Sequence, residues 1–286
     1  MRPAAALAAA LLAVLGTAPD AVRAAEPAPA TATTAPVPPA AVPADAPSGE
    51  FLTAYVAPAN EDYRVYFEEL RGERFLESVG DALNRVLVLP VPVTLELAEC
   101  GHSTVSWDVP THTVTVCYEF LDAVVMIAGS AADTQPRAEQ LFSGAVTFAL
   151  FAEIGEALVD LYGLPAPHGV PQAADEFAAI TLAASERNGD AVSAAAIEFF
   201  DVALRKPDSG LEYLEARGFD RARLENVACI FYGNAPGNHA AAIAHAVIPA
   251  GRAPRCAEQV IAVAKTWDRN LHGHARAAGD GPPVRP

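Results

Sequence analysis

Positive charge is scarce in this chain. Its 286 residues hold 19 lysines and arginines against 35 aspartates and glutamates, a formal net charge of −16. No basic run stands out, and phosphate recognition needs clustered cations, so no nucleic-acid partner is expected. Close cysteine pairs and Cys/His clusters are missing too, which leaves no basis for a thiolate-bound zinc. No glycine-rich phosphate loop occurs, and Ser103, Ser106 and Ser143 lack the G-x-S-x-G setting of an activated serine. Beyond the N-terminal segment, no run combines the length and unbroken apolarity of a membrane span. No integral membrane segment is therefore expected in the mature chain.

The N-terminus carries different signals. Arg2 precedes an apolar run from Ala4 to Leu15, followed by small residues near Ala24 and Ala25. That pattern reads as a secretory signal over 1–25 and predicts a secreted or periplasmic protein. Residues 26–49 are mostly Pro, Ala and Thr, which bury little apolar area, and are expected to form a disordered linker. An ordered domain is expected over 50–273 and a flexible tail over 274–286.

Four cysteines in an exported chain suggest two disulfides with three possible connectivities. Cys100 follows the strand-like run Val93–Leu97, and Cys117 ends the alternating run Thr113–Val116. A hairpin turning at Trp107-Asp108-Val109-Pro110 would set these cysteines opposite one another. The pairs predicted are Cys100–Cys117 and Cys229–Cys256. A short strand is expected around Tyr63–Phe67, one helix over Glu68–Asn84, another over Tyr118–Ile127, and a long one over Ala138–Tyr162. Further helices are expected from Pro171 to about Arg187 and in five later segments up to Leu271. Together these predict an α+β fold, mainly helical, with a small antiparallel hairpin or sheet near its N-terminal part.

The most informative segment is Phe148-Ala149-Leu150-Phe151-Ala152-Glu153-Ile154-Gly155-Glu156-Ala157-Leu158. It has the frame of the zinc-protease helix H-E-x-x-H, with Ala152 and Glu156 in the two histidine positions. In that frame, residues i and i+4 share a face and bind the metal, and the intervening glutamate takes a proton from metal-bound water. Glu153 stands at the general-base position. Glu156 and Asp175 are candidate oxygen donors, suited to a hard cation such as Ca²⁺ or Mg²⁺. Glu153 and Glu156 lie one turn apart, and partial burial of two carboxylates pushes at least one apparent pKa upward. His168, in the following loop, is a weaker candidate. His102 and His112 read as surface residues, and Trp107 and Trp267 as packing residues.

Three blocks of residues resemble a bacterial family of exported zinc metallopeptidases of unassigned role. The first is Leu95–Gly101 with Val114–Glu119, and the second is Phe148–Leu158 with Ala173–Ala178. The third is Asn226–Gly233 with Arg252–Cys256 and Trp267. The resemblance implies a zincin-like fold and a zinc cofactor. At the family's metal-binding positions this sequence keeps Glu153 and Asp175 but lacks both histidines, and Val170 and Pro171 fall near an acidic pair typical of the family. The expectation is therefore an inactive member without a cofactor, binding an unknown peptide or protein in a vestigial cleft. Two alternatives stay open: a metal-dependent hydrolase with an acidic site, and a structural module of the cell envelope.

Overall fold

The computed structural model describes residues 49–185, 189–206 and 210–276. The expected signal segment and nearly all of the expected linker lie outside them. Among the described residues are four strands, β1 (Phe51–Tyr55), β2 (Val93–Ala98), β3 (Val105–Asp108) and β4 (Thr113–Cys117). The helices are α1 (Arg64–Gly72), α2 (Phe75–Asn84), α3 (Tyr118–Ala131), α4 (Gln135–Tyr162), α5 (Val170–Ala183), α6 (Gly189–Leu204), α7 (Glu212–Ala216), α8 (Arg221–Asn234), α9 (Ala240–Ala244) and α10 (Cys256–Leu271). The fold is mainly helical with a small sheet near its N-terminal part, as the sequence predicts.

The sheet is mixed, in the order β1-β2-β4-β3. The alternating apolar residues of β2 place Val93, Leu95 and Leu97 in the core. β1 and β4 both run parallel to β2, and only β3 and β4 form an antiparallel hairpin. The predicted hairpin between the runs ending near Cys100 and Cys117 is thus incorrect in its partner. Cys100 and Cys117 are joined all the same, because the parallel register sets Ala98 beside Cys117. Cys229 of α8 is joined to Cys256 at the start of α10.

Two further expectations change near the N-terminus. The segment expected as a strand at Tyr63–Phe67 is the end of a 3-10 turn and the start of α1. Asn60 accepts a hydrogen bond from Asp62 N, and this cap with its acidic first turn outweighs the β-prone aromatic and branched residues. The expected helix over Glu68–Asn84 is two helices, broken where Arg74 adopts a left-handed φ of 54°. At the other end the chain stays packed past Gly273. His274 stacks on Tyr162 at 3.8 Å between ring centroids, and Arg276 N donates to Val86 O. His274 is therefore a buried residue and not part of a loose tail; the residues after 276 lie outside the described set.

α4 forms the axis of the helical layer. It is long and apolar enough to cross a membrane by length and composition, contrary to the expectation that no such segment exists. Its most apolar window is 94% buried inside the fold, the setting of a core helix. α3, α5 and α6 pack against it, and glycines let two of them approach closely. A Cβ on Gly144 would fall 2.5 Å from Ala196 N of α6, and one on Gly155 would fall 2.9 Å from Ala174 O of α5. Gly129 in α3 has open space around it. Gly144→Ala should therefore destabilise the protein by about 1–3 kcal/mol through overpacking. Gly129→Ala should stabilise it by up to about 1 kcal/mol through helix propensity. Urea denaturation of both variants checks the contrast.

Candidate functional site

Three helices and one strand converge beside the middle of α4. α4 carries Ala152, Glu153 and Glu156, and its surroundings are apolar on nearly every side, so its carboxylates are drawn into the core with the helix. Glu153 is 2% exposed, while the Glu156 side chain at 31% reaches the rim. The edge strand β3 lies across α4, and Trp107 N–H donates to Glu153 Oε2 at 2.9 Å. The indole Nε1–H of the same residue donates to Asp160 Oδ2, about two turns further along α4, at 3.3 Å. Asp175, 1% exposed, enters from α5.

A guanidinium completes the cluster. Arg217 follows α7 and extends between the acids with its side chain 6% exposed. Its Nη1 donates to Glu153 Oε1 and, at 2.8 Å, to Glu156 Oε2; its Nη2 lies 3.5 Å from Asp175 Oδ1. A second arginine, Arg223 of α8, donates from Nε to Asp175 Oδ2 at 2.7 Å and from Nη2 to Pro171 O at 3.0 Å. Arg223 Nη1 also donates to the carbonyl of Arg217, so the two cations are tied to each other's elements. A buried charge is tolerated only when paired, and here two guanidiniums answer three carboxylates.

Arg217 is held in place by what surrounds α7. Leu211, Tyr213 and Phe219 are buried, and the Tyr213 ring meets Phe120 edge-on at 5.5 Å. Ser103 accepts from Tyr213 N through its carbonyl at 3.0 Å and from Glu212 N through its hydroxyl at 2.9 Å. The Ser103 hydroxyl also donates to Gly210 O. Withdrawing Arg217 by moving α7 would expose these apolar side chains, at a cost of about 1.5–3 kcal/mol for each large one. The packing of α7 thus anchors the backbone that carries Arg217.

Of the residues singled out from sequence, Glu153, Glu156 and Asp175 do come together around Arg217. His168 does not; it lines a separate cavity beside Trp267 and Gln259. The acid cluster opens instead into a cleft of about 300 Å³ bordered by His102, Ser106, Trp107, Glu212 and Arg217. Sequence reasoning misses Arg217, Arg223 and the anchoring role of Ser103, and reads Trp107 as packing alone. One signal is available: Arg217, Arg221 and Arg223 fall within seven residues of an otherwise acidic chain.

Residues 55–271 match a protein family described as "Putative metallopeptidase". The chain belongs to this metallopeptidase family. No curated protein and no solved structure matches it. Membership implies a metal in the family, but the residues present here do not fit one. Ala152 has no ligand atom, and the inward oxygens of Glu153 and Glu156 already face the Arg217 guanidinium. Asp175 is engaged by Arg223. Among the described residues one group of His, Cys, Asp or Glu brings its ligand atoms within 4.8 Å of one another, namely Cys100, Cys117 and Glu119. Its sulfurs are joined to each other, and Glu119 accepts from the backbone N–H groups of Cys100 and Gly101.

The excess of buried acid over buried base has a titration consequence. Burial pushes Glu153 up to about 7 and Asp175 up to about 6, and the neighbouring arginines only partly oppose this. At these two groups the native state therefore binds more protons than the unfolded chain between roughly pH 4 and 7, while buried His239 and His274, held below the usual imidazole range, act in the opposite sense. The stability that Glu153 and Asp175 contribute is complete below their unfolded values and is lost as pH rises through 6 and 7, on the order of 3 kcal/mol for Glu153. In unfolding free energies measured from pH 4.5 to 8, wild type should lose stability relative to Glu153→Gln as pH rises across this window.

Proposed function

We propose that this member of the metallopeptidase family is an exported pseudoenzyme, without hydrolytic activity, that binds a peptide or protein segment in the cleft beside β3. One observation carries the reading. Glu153, the residue at the general-base position, has one oxygen engaged by Trp107 N–H and the other by Arg217. A general base needs a free lone pair within reach of the proton it abstracts. Both oxygens are held by these donors in a side chain that is almost fully buried, and Ala152 at the preceding position has no atom with which to bind a metal that would acidify a water.

Two disulfides fit an oxidising, extracytoplasmic setting. The cleft suits an extended segment because β3 is the outer strand of the sheet and Trp107 stands at its border. The overall negative charge of the chain supports a partner other than nucleic acid. The alternative of an acidic metal site meets the guanidinium already among the three carboxylates. His168, which that alternative would also draw on, stands elsewhere.

The test is direct. Purified full-length protein, stripped with chelator and reloaded, should retain no stoichiometric zinc and should cleave no member of a random peptide library. One zinc per chain with hydrolysis abolished by Glu153→Gln would refute the pseudoenzyme. Trp267 is buried, so a fluorescence change on peptide addition that disappears in Trp107→Phe would report binding in the cleft. Peptides that bind equally well to a variant with the cleft blocked, Ser106→Trp, would place binding elsewhere and overturn that part.

A further inference from the structure

We propose that Glu153, Glu156 and Asp175 form a cation site whose resident ion is the chain's own Arg217 guanidinium, so that Arg217 and a small external cation are mutually exclusive occupants. The proposal goes beyond the loss of hydrolysis, since an inactive protein need not have refilled its acid cluster with a side chain.

The geometry carries it. Carboxylates from two helices, α4 and α5, point at one guanidinium delivered from a third element. Glu153 and Asp175 are almost fully buried, so bulk water does not solvate their charge. The fit is that of a charge in an acidic cage and not of a fully matched hydrogen-bonding fork. Asp175 Oδ1, Arg217 Nε and Arg217 Nη2 are buried without a hydrogen-bond partner, although Oδ1 and Nη2 face each other across 3.5 Å. Asp175 Oδ1 is thus an unused acceptor aimed at the centre of the cluster. A planar guanidinium can touch several carboxylates at once, which a lysine ammonium does less well.

Truncating Arg217 would leave three carboxylates facing a cavity with only Arg223 beside them. The chemistry left behind selects two kinds of ligand: a hard divalent cation with oxygen preference, or a free guanidinium small enough to enter. Neither should find room while Arg217 is in place.

The experiment compares wild-type protein with Arg217→Ala by thermal melting in Ca²⁺, Mn²⁺ or methylguanidinium, with tetramethylammonium as a control of the same charge as methylguanidinium. Arg217→Ala should melt about 10 °C below wild type, because it strands buried carboxylates. Methylguanidinium, Ca²⁺ or Mn²⁺ should restore roughly 3 °C or more. Wild type should respond to none of them. The proposal is overturned if Arg217→Ala melts with wild type, if none of the three cations restores it, or if wild type is stabilised equally. Should Arg217→Ala not accumulate in folded form, the denatured chain with its disulfides intact is refolded in methylguanidinium or in tetramethylammonium. Recovery in the first alone supports the site, and any other pattern of recovery counts against it. Zinc-dependent hydrolysis by wild type would strike the functional reading instead, so the two failures are distinguishable.

Discussion

Carboxylates drawn into an apolar interior need a partner of opposite charge, and that need organises the centre of this protein. α4 is apolar around most of its circumference and packs on three other helices. Placing Glu153 on such a helix commits a charge to the core. In a metallopeptidase site that holds a metal, the ion would supply the counter-charge. Here it is a guanidinium from a distant part of the chain, and β3, α5, α7 and α8 take up positions that keep it there. The Ser103 contacts and the buried Tyr213 ring make sense as devices that hold the arginine.

The same cluster links fold to cleft. Trp107 N–H lies on the outer edge of the sheet, where a backbone donor would otherwise face solvent or another chain. Glu153 accepts from it, so the carboxylate joins the sheet edge to the helical layer. Glu156, partly exposed, lies where this interior charge network reaches the cleft. Under the function proposed above, a ligand in the cleft would meet carboxylates that already face Arg217 and Arg223.

Much of this is legible in the amino-acid sequence. The long helix follows from its apolar run, with Pro136 in its first turn. Both disulfide pairs are the expected ones, although the hairpin expected to join Cys100 to Cys117 is replaced by strands that run parallel. The missing ligand atom at Ala152 is equally plain, since alanine has none in any fold. Other elements resist because local signals conflict. Tyr63–Phe67 has the composition of a strand, yet the cap at Asn60 starts a helical segment there. The hairpin falls to the wrong strands because alternation shows that a segment is extended but not which neighbour it pairs with, nor in which direction. His274 looks like part of a loose end from its position near the terminus, and stacking on Tyr162 places it inside.

By itself the sequence determined most of the helical segments, the capacity for two disulfides, and which chemical groups are present at the motif positions. Those properties depend on side-chain chemistry and on neighbours a few residues away. Only the tertiary structure decided which cation faces the acids. Arg217 and Glu153 are 64 residues apart, and no periodicity connects them. Their meeting depends on helix packing, on the parallel pairing of β2 with β4, and on the anchoring of α7 beside Ser103. Such long-range contacts are selected by the joint burial of many side chains and cannot be read from any one of them.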